Sequence, residues 1–129
     1  MIGISHIALN VRDLENAKKF YGNYFGAVAN LLHYQNSITG LETCFLIFSD
    51  GNRLELMTWP ELAAKPLGIM VQGLAHIAFS SGSKKAVEAL TEKLKHDGVA
   101  VLSGPRTTWD GYYESLIQDP EGNLIEITV

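Results

Sequence analysis

The phrase Gly122-Asn123-Leu124-Ile125-Glu126-Ile127 near the end of this chain has an earlier copy, Gly51-Asn52-Arg53-Leu54-Glu55-Leu56. Upstream of each copy stands a second echo, Ser5-His6-Ile7-Ala8-Leu9 and Ala75-His76-Ile77-Ala78-Phe79. Glu126 follows Glu55 by 71 residues and His76 follows His6 by one fewer. Two echoes at nearly one offset describe a tandem duplication of a single module. Each copy carries one His near its start and one Glu near its end. The fold must therefore be one that half of this chain can adopt twice.

In the first copy, Ile4 to Val11 alternates as a strand, with Ile7, Leu9 and Val11 on one face and His6, Ala8 and Asn10 on the other. Asp13 is an N-cap residue, and Leu14, Ala17, Phe20, Tyr21, Tyr24 and Phe25 follow at helical spacing. Lys18, Lys19 and Asn23 take the wet side and Gly26 supplies the stop, which predicts a helix over 13–25. Strands are expected at about 28–35, 41–49 and 52–58, the last two joined by a two-residue Asp50-Gly51 hairpin turn. Residues 60–72, with Pro60, Pro66 and Gly68, lose the periodicity and read as a linker.

The second copy repeats the order. A strand at 74–80 leads to Ser83 as N-cap, then to Ala86, Val87, Leu90 and Leu94 on one helical face. Glu88, Glu92, Lys93 and Lys95 cover the other, and Gly98 closes the helix. Strands at about 99–103, 112–118 and 123–128 follow, with Asp119-Pro120-Glu121-Gly122 as a turn. The expected fold class is α+β: two βαβββ modules, 1–59 and 73–129, making a single domain of the whole chain. A module of this size leaves a sheet face uncovered, because its one helix protects one side only. The expected use of the open faces is a cleft lined by a curled half-barrel.

Composition narrows the function classes. The net charge of −4 gives no basic footprint for nucleic acid or an anionic membrane. A lone cysteine, Cys44, cannot form an internal disulfide and fits a reducing compartment. The apolar start carries His6 and runs into Arg12 and Asp13 without a basic leader, unlike a signal peptide or a span. A cytoplasmic protein is the expectation.

Strand parity then selects the site. Arg53, Glu55 and Met57 share a face opposite Leu54 and Leu56; Glu126 lies with Leu124 and Thr128, opposite Ile125 and Ile127. His76 lies with Ala78 and Ser80, opposite Ile77 and Phe79. The wholly apolar sets belong against the helices, which puts His6, Glu55, His76 and Glu126 on the open faces. Two imidazoles and two carboxylates form a mixed nitrogen and oxygen donor set suited to Zn²⁺, Ni²⁺, Co²⁺, Fe²⁺ or Mn²⁺. The plainer alternative is an inherited pair of solvated residues without a metal.

The duplicated module with His and Glu at these positions resembles the glyoxalase / vicinal oxygen chelate superfamily. Ser5-His6-Ile7-Ala8, Arg53-Leu54-Glu55-Leu56, Ala75-His76-Ile77-Ala78 and Asp119-Pro120-Glu121-Gly122-Asn123-Leu124-Ile125-Glu126 carry the resemblance. It implies the fold shared by glyoxalase, bleomycin-resistance and dioxygenase proteins, and a His-Glu-His-Glu pattern of glyoxalase I type at His6, Glu55, His76 and Glu126. It also implies a divalent metal, Zn²⁺ or Ni²⁺ first, and a homodimer in which a site is often shared between chains. The implied reaction is lyase or isomerase chemistry on a small vicinal-oxygen substrate through an enediolate, with Glu126 as base and Glu55 facing it. Glutathione-using glyoxalase I enzymes carry an Arg and an Asn where this chain has Asn10 and Trp59. The partner for a glutathione carboxylate is thus missing, and a glutathione hemithioacetal is not the expected substrate.

Among other residues, Asn10, Arg53, Trp109 and Tyr113 are candidates for substrate contact, and Arg106 for a loop contact reaching the cleft. Arg53 also reads as a plain exposed strand residue. Trp109, Tyr112 and Tyr113 read equally as core or dimer contacts. His33 reads as a surface residue, His96 as a helix-end cation, and Cys44 as packing. Two rival functions stay open: a ring-cleaving dioxygenase using the two His and Glu126, and a metal-free module sequestering small molecules.

Overall fold

A computed structural model of the chain describes residues 1–31, 33–66 and 70–129. Leu32, inside the expected 28–35 strand, and Gly68, named for the linker, lie outside the described residues. The chain divides into two units, Met1–Lys65 and Pro66–Val129, and the division falls inside the expected linker. The architecture is α+β, one helix and one open sheet per unit.

In the first unit the elements run β1 (Ile7–Asn10), α1 (Leu14–Phe25), β2 (Val28–Ala29), β3 (Tyr34–Gln35), β4 (Glu42–Ile47) and β5 (Arg53–Thr58). The sheet order is β1-β5-β4-β2, with β3 also paired to β4. β1 lies parallel to β5, and the crossover between them carries α1 over one face. Asp13 caps α1 by accepting from the Asn16 N–H at 2.9 Å, and Gly26 ends it in the left-handed conformation. Leu14, Ala17, Phe20 and Tyr21 of α1 are buried, as are Cys44 and Leu46 of β4 and Leu54 and Leu56 of β5. Each such large apolar side chain contributes about 1.5–3 kcal/mol by leaving water.

The second unit runs β6 (Ile77–Ser80), α2 (Lys84–His96), β7 (Val101–Thr107), β8 (Tyr113–Gln118) and β9 (Leu124–Thr128), in the order β6-β9-β8-β7. Ser83 caps α2 through the Ala86 N–H. Val87 and Leu94 of α2 are buried with Ile117, Ile125 and Ile127 of the sheet. Thr91, between them on the helix, is also buried. Its hydroxyl donates to the Val87 carbonyl at 2.6 Å and lies 2.8 Å from the hydroxyl of buried Ser115. No helix among the described residues is long and apolar enough to cross a membrane.

Three expectations change. The 28–35 strand is replaced by two short strands, Val28–Ala29 and Tyr34–Gln35, and Leu31 between them faces water outright. The strand expected at 99–103 instead runs to Thr107. It passes Gly104 and Pro105 through register shifts, on an edge where a proline without an N–H is tolerated. The Asp50-Gly51 turn has three residues, not two. The Phe48 N–H bonds to the Asn52 carbonyl and Gly51 takes φ 84°. Its duplicate is identical in plan: Asp119 bonds to the Asn123 carbonyl and Gly122 takes φ 82°. The duplication thus extends to the turns that set the register of β5 and β9.

Candidate metal centre

β1 and β5 meet with Ala8 beside Glu55, and β6 and β9 with Ala78 beside Glu126. Each His stands immediately before the first residue of its strand, two positions from that alanine. With only a methyl group intervening on the shared face, the imidazole reaches across to the carboxylate. His6 Nε2 lies 3.3 Å from Glu55 Oε2, and His76 Nε2 lies 2.9 Å from Glu126 Oε2. The carboxylates are more covered than the imidazoles in both pairs. The same half-site has been built twice.

These separations fit a shared ion. Two donors each about 2.1 Å from one metal sit roughly 3.0 Å apart when mutually perpendicular and roughly 3.4 Å apart at a tetrahedral angle. Nitrogen paired with oxygen is also the donor chemistry of a borderline divalent ion. In the first pair Ser5 Oγ lies 3.2 Å from His6 Nδ1, a contact that orients the imidazole and leaves Nε2 toward Glu55. Ala75 occupies the matching position in the second half and has no hydroxyl to repeat that contact. Among the described residues no three His, Cys, Asp or Glu side chains converge as a metal-holding group. The structure brings the four expected residues together as two pairs, each within its own unit.

The second half-site includes a residue that the sequence reading passed over. Glu114 on β8 faces the same way as Glu126 and shares a side-chain hydrogen bond with it. That bond, then burial, then the Glu126 charge push the Glu114 carboxyl up to about 7, while Arg106, its partner on β7, pulls the other way. Alternation along 113–118 was enough to place Glu114 off the helix face. Only the β8–β9 register shows it diagonal to Glu126.

A pH dependence follows for chelator-treated protein. A carboxyl raised from 4.5 to about 7 binds its proton more tightly when folded than when unfolded. Its contribution to stability is fully present below the unfolded value and is lost as the pH rises through the folded one. Melting temperatures of native protein relative to Glu114→Gln should therefore fall across that window. A difference independent of pH would show that the carboxyl is not held protonated.

The remaining candidates separate. Asn10 stays on the ligand face and accepts from the Trp59 indole N–H at 3.1 Å, so the two positions that depart from the glutathione-using pattern are bonded to each other. Arg53 lies on the same face as Glu55. Tyr113 lies off the His76–Glu126 face: its hydroxyl donates to Glu88 of α2 at 2.7 Å and Lys84 stands over its ring. Trp109 is almost fully exposed in the loop between β7 and β8, and Tyr112 is exposed beside it. His33 pairs with Glu42 at 2.9 Å, and His96 stands in the last turn of α2. Cys44 is buried, which pushes its thiol up and leaves it a packing residue.

Comparison with known proteins adds three findings. Residues 3–127 match the model of the Glyoxalase/Bleomycin resistance protein/Dioxygenase superfamily. An uncharacterized Bacillus subtilis (strain 168) protein, YqjT, is 30% identical over 129 residues, 95% of this chain and 94% of that one. Among solved structures, a glyoxylase/bleomycin resistance protein/dioxygenase domain from Frankia sp. EAN1pec has a TM-score of 0.84 at 20% identity, covering 100% of this chain and 98% of that one. The fosfomycin resistance protein FosX from Listeria monocytogenes has a TM-score of 0.71 at 26% identity, covering 99% and 92%.

Proposed function

This chain belongs to the Glyoxalase/Bleomycin resistance protein/Dioxygenase superfamily, and from that premise we propose that it is a metal-dependent lyase or isomerase of glyoxalase I type. Its substrate is a small compound with oxygens on adjacent carbons, and the reaction moves a proton between those carbons. One observation carries the reading: the His–Glu pair is built twice, at 3.3 and 2.9 Å, at equivalent places in two copies of one module. Each pair supplies half of a divalent-ion ligand set of His6, Glu55, His76 and Glu126.

When bound, Zn²⁺ or Ni²⁺ supplies Lewis acidity to the paired substrate oxygens. The chain's own groups do the rest. The imidazoles of His6 and His76 hold position through Nε2. Glu126 removes the proton from one carbon, the electron pair moves toward the adjacent carbonyl, and the proton returns to the neighbouring carbon, so no oxidant is needed. Glu55 stands in the matching place of the other half. The family analogy extends to a homodimer, and unpaired Cys44 is in keeping with the reducing cytoplasm. The Asn10–Trp59 pair puts no cation at the two positions where glutathione-using enzymes carry Arg and Asn, which points to another thiol adduct or a thiol-free hydroxycarbonyl.

Elemental analysis of protein purified without chelator tests the ligand set. The expected result is a tightly held divalent ion that His6→Ala and His76→Ala each lose. Retention by both variants would refute it. Metal-supplemented assays with methylglyoxal and several thiols then test the reaction. Action on fosfomycin is a second reading, favoured by the 26% identity to FosX. Fosfomycin in the same assays separates the two.

A further inference from the structure

On the ligand face of the first unit, the strands carry Ala8 and Asn10 of β1, Val28 of β2, Tyr34 of β3, Thr43, Phe45 and Ile47 of β4, and Arg53, Glu55 and Met57 of β5. Arg53 is the one lysine or arginine in that set. It stands two residues before Glu55, a step of about 6.6 Å along the strand. Its guanidinium is held in place: Nη2 donates to Ser5 Oγ at 2.8 Å, and the group lies 5.2 Å from the centroid of the Phe45 ring. The same Phe45 ring meets His6 edge to face at 5.1 Å, and the same Ser5 hydroxyl lies against His6 Nδ1. The residues that orient the first half-site's imidazole therefore also fix the cation beside it.

Among the described residues this cation has no ionic partner. None of the ion pairs among the described residues includes Arg53, although the Glu55 carboxylate is on the same face. A guanidinium has five N–H donors, and the Ser5 bond uses one. A fixed, unpaired fork beside a metal half-site is suited to a planar oxyanion, which takes two parallel N–H bonds. The other end of the same face offers the opposite character, the Trp59 indole tied to Asn10 with no cation.

We propose that Arg53 is the anion anchor of the site, binding a carboxylate carried by the substrate a few bonds from its paired oxygens. This rests on the metal-site reading above and sharpens it. The substrate class becomes a small vicinal-oxygen compound bearing a further carboxylate, bound with that group at the Arg53 end. Arg53 is a specificity residue that leaves the proton transfer to the glutamates.

Two hydroxamates test this, since both chelate a metal through adjacent oxygens and only one carries the extra charge. Acetohydroxamate and succinate monohydroxamate are titrated calorimetrically into full-length protein loaded with Zn²⁺ or Ni²⁺. Native protein is expected to prefer the carboxylate-bearing probe by about ten- to hundredfold, the scale of a charge-assisted hydrogen bond. Arg53→Gln should abolish the preference, the carboxylate-bearing probe losing at least about tenfold more affinity than acetohydroxamate, and Arg53→Lys should restore part of it. A purely structural arginine would weaken both probes alike. Native protein without a preference, or Arg53→Gln retaining it, overturns the anchor alone. Protein that takes up no ion, or binds neither hydroxamate, overturns the metal reading and the anchor with it.

Discussion

Glu126→Gln is expected to lower turnover by about 10²- to 10⁴-fold, the usual share of a positioned proton carrier. The amide keeps the shape and one oxygen donor of the carboxylate but cannot accept the substrate proton. Metal content should therefore fall far less than activity, and both quantities are needed. Elemental analysis of the purified variant gives the first, and the metal-supplemented methylglyoxal assay gives the second. Loss of the ion in parallel with activity would make Glu126 a ligand only, and undiminished turnover would remove it from the mechanism. The 2.9 Å contact with His76 and the shared hydrogen bond with Glu114 define what else changes. The variant should release the Glu114 carboxyl toward its ordinary value, because both the hydrogen bond and the charge that hold it up come from Glu126.

Gly104→Ala should be strongly destabilising to the second unit. Gly104 has φ 93°, where an L side chain costs about 1–3 kcal/mol. A Cβ there would also stand 2.5 Å from the Glu114 carbonyl oxygen and 2.8 Å from the Ser115 Cα. Both are backbone atoms of β8 that cannot swing aside, and overpacking of this kind adds about 1–3 kcal/mol. Gly111→Ala is the control: it has the same φ of 93° but nothing within 4 Å of the added carbon. Urea denaturation of the two variants should place Gly104→Ala below Gly111→Ala by roughly the overpacking share. Equal stabilities would show that β7 moves away from β8 at no cost. Because Gly104 packs on the backbone of Glu114, the damage should also reach the His76–Glu126 pair and appear as weakened metal retention.

Much of this was legible because it depends on local rules. Asp13, Gly26 and Ser83 marked helix ends that the structure reproduces, since a capping oxygen or a left-handed glycine acts within a few residues. Strand alternation put Glu55 and Glu126 opposite Leu54, Leu56, Ile125 and Ile127, and the burial of those four residues agrees. Thr91 was missed because a hydroxyl at a helix's inward position gains its value from a distant partner, Ser115. Tyr113 read equally as a pocket, core or dimer residue beside Asp110-Gly111. Its parity with Ser115 and Ile117 sends it to α2.

From the amino-acid order alone came the duplication, the α+β class, the four His and Glu positions and the face each occupies. Such properties follow from repeat offset and from a side-chain period of two, which every strand obeys before it finds a neighbour. Tertiary structure decided which strand each residue meets and in what register. The β1–β5 and β6–β9 pairings set His6 against Glu55 and His76 against Glu126, β8 brought Glu114 beside Glu126, and Ser5 and Phe45 pinned Arg53. Such contacts join residues tens of positions apart, and their distances are set by hydrogen-bond ladders that local sequence does not encode.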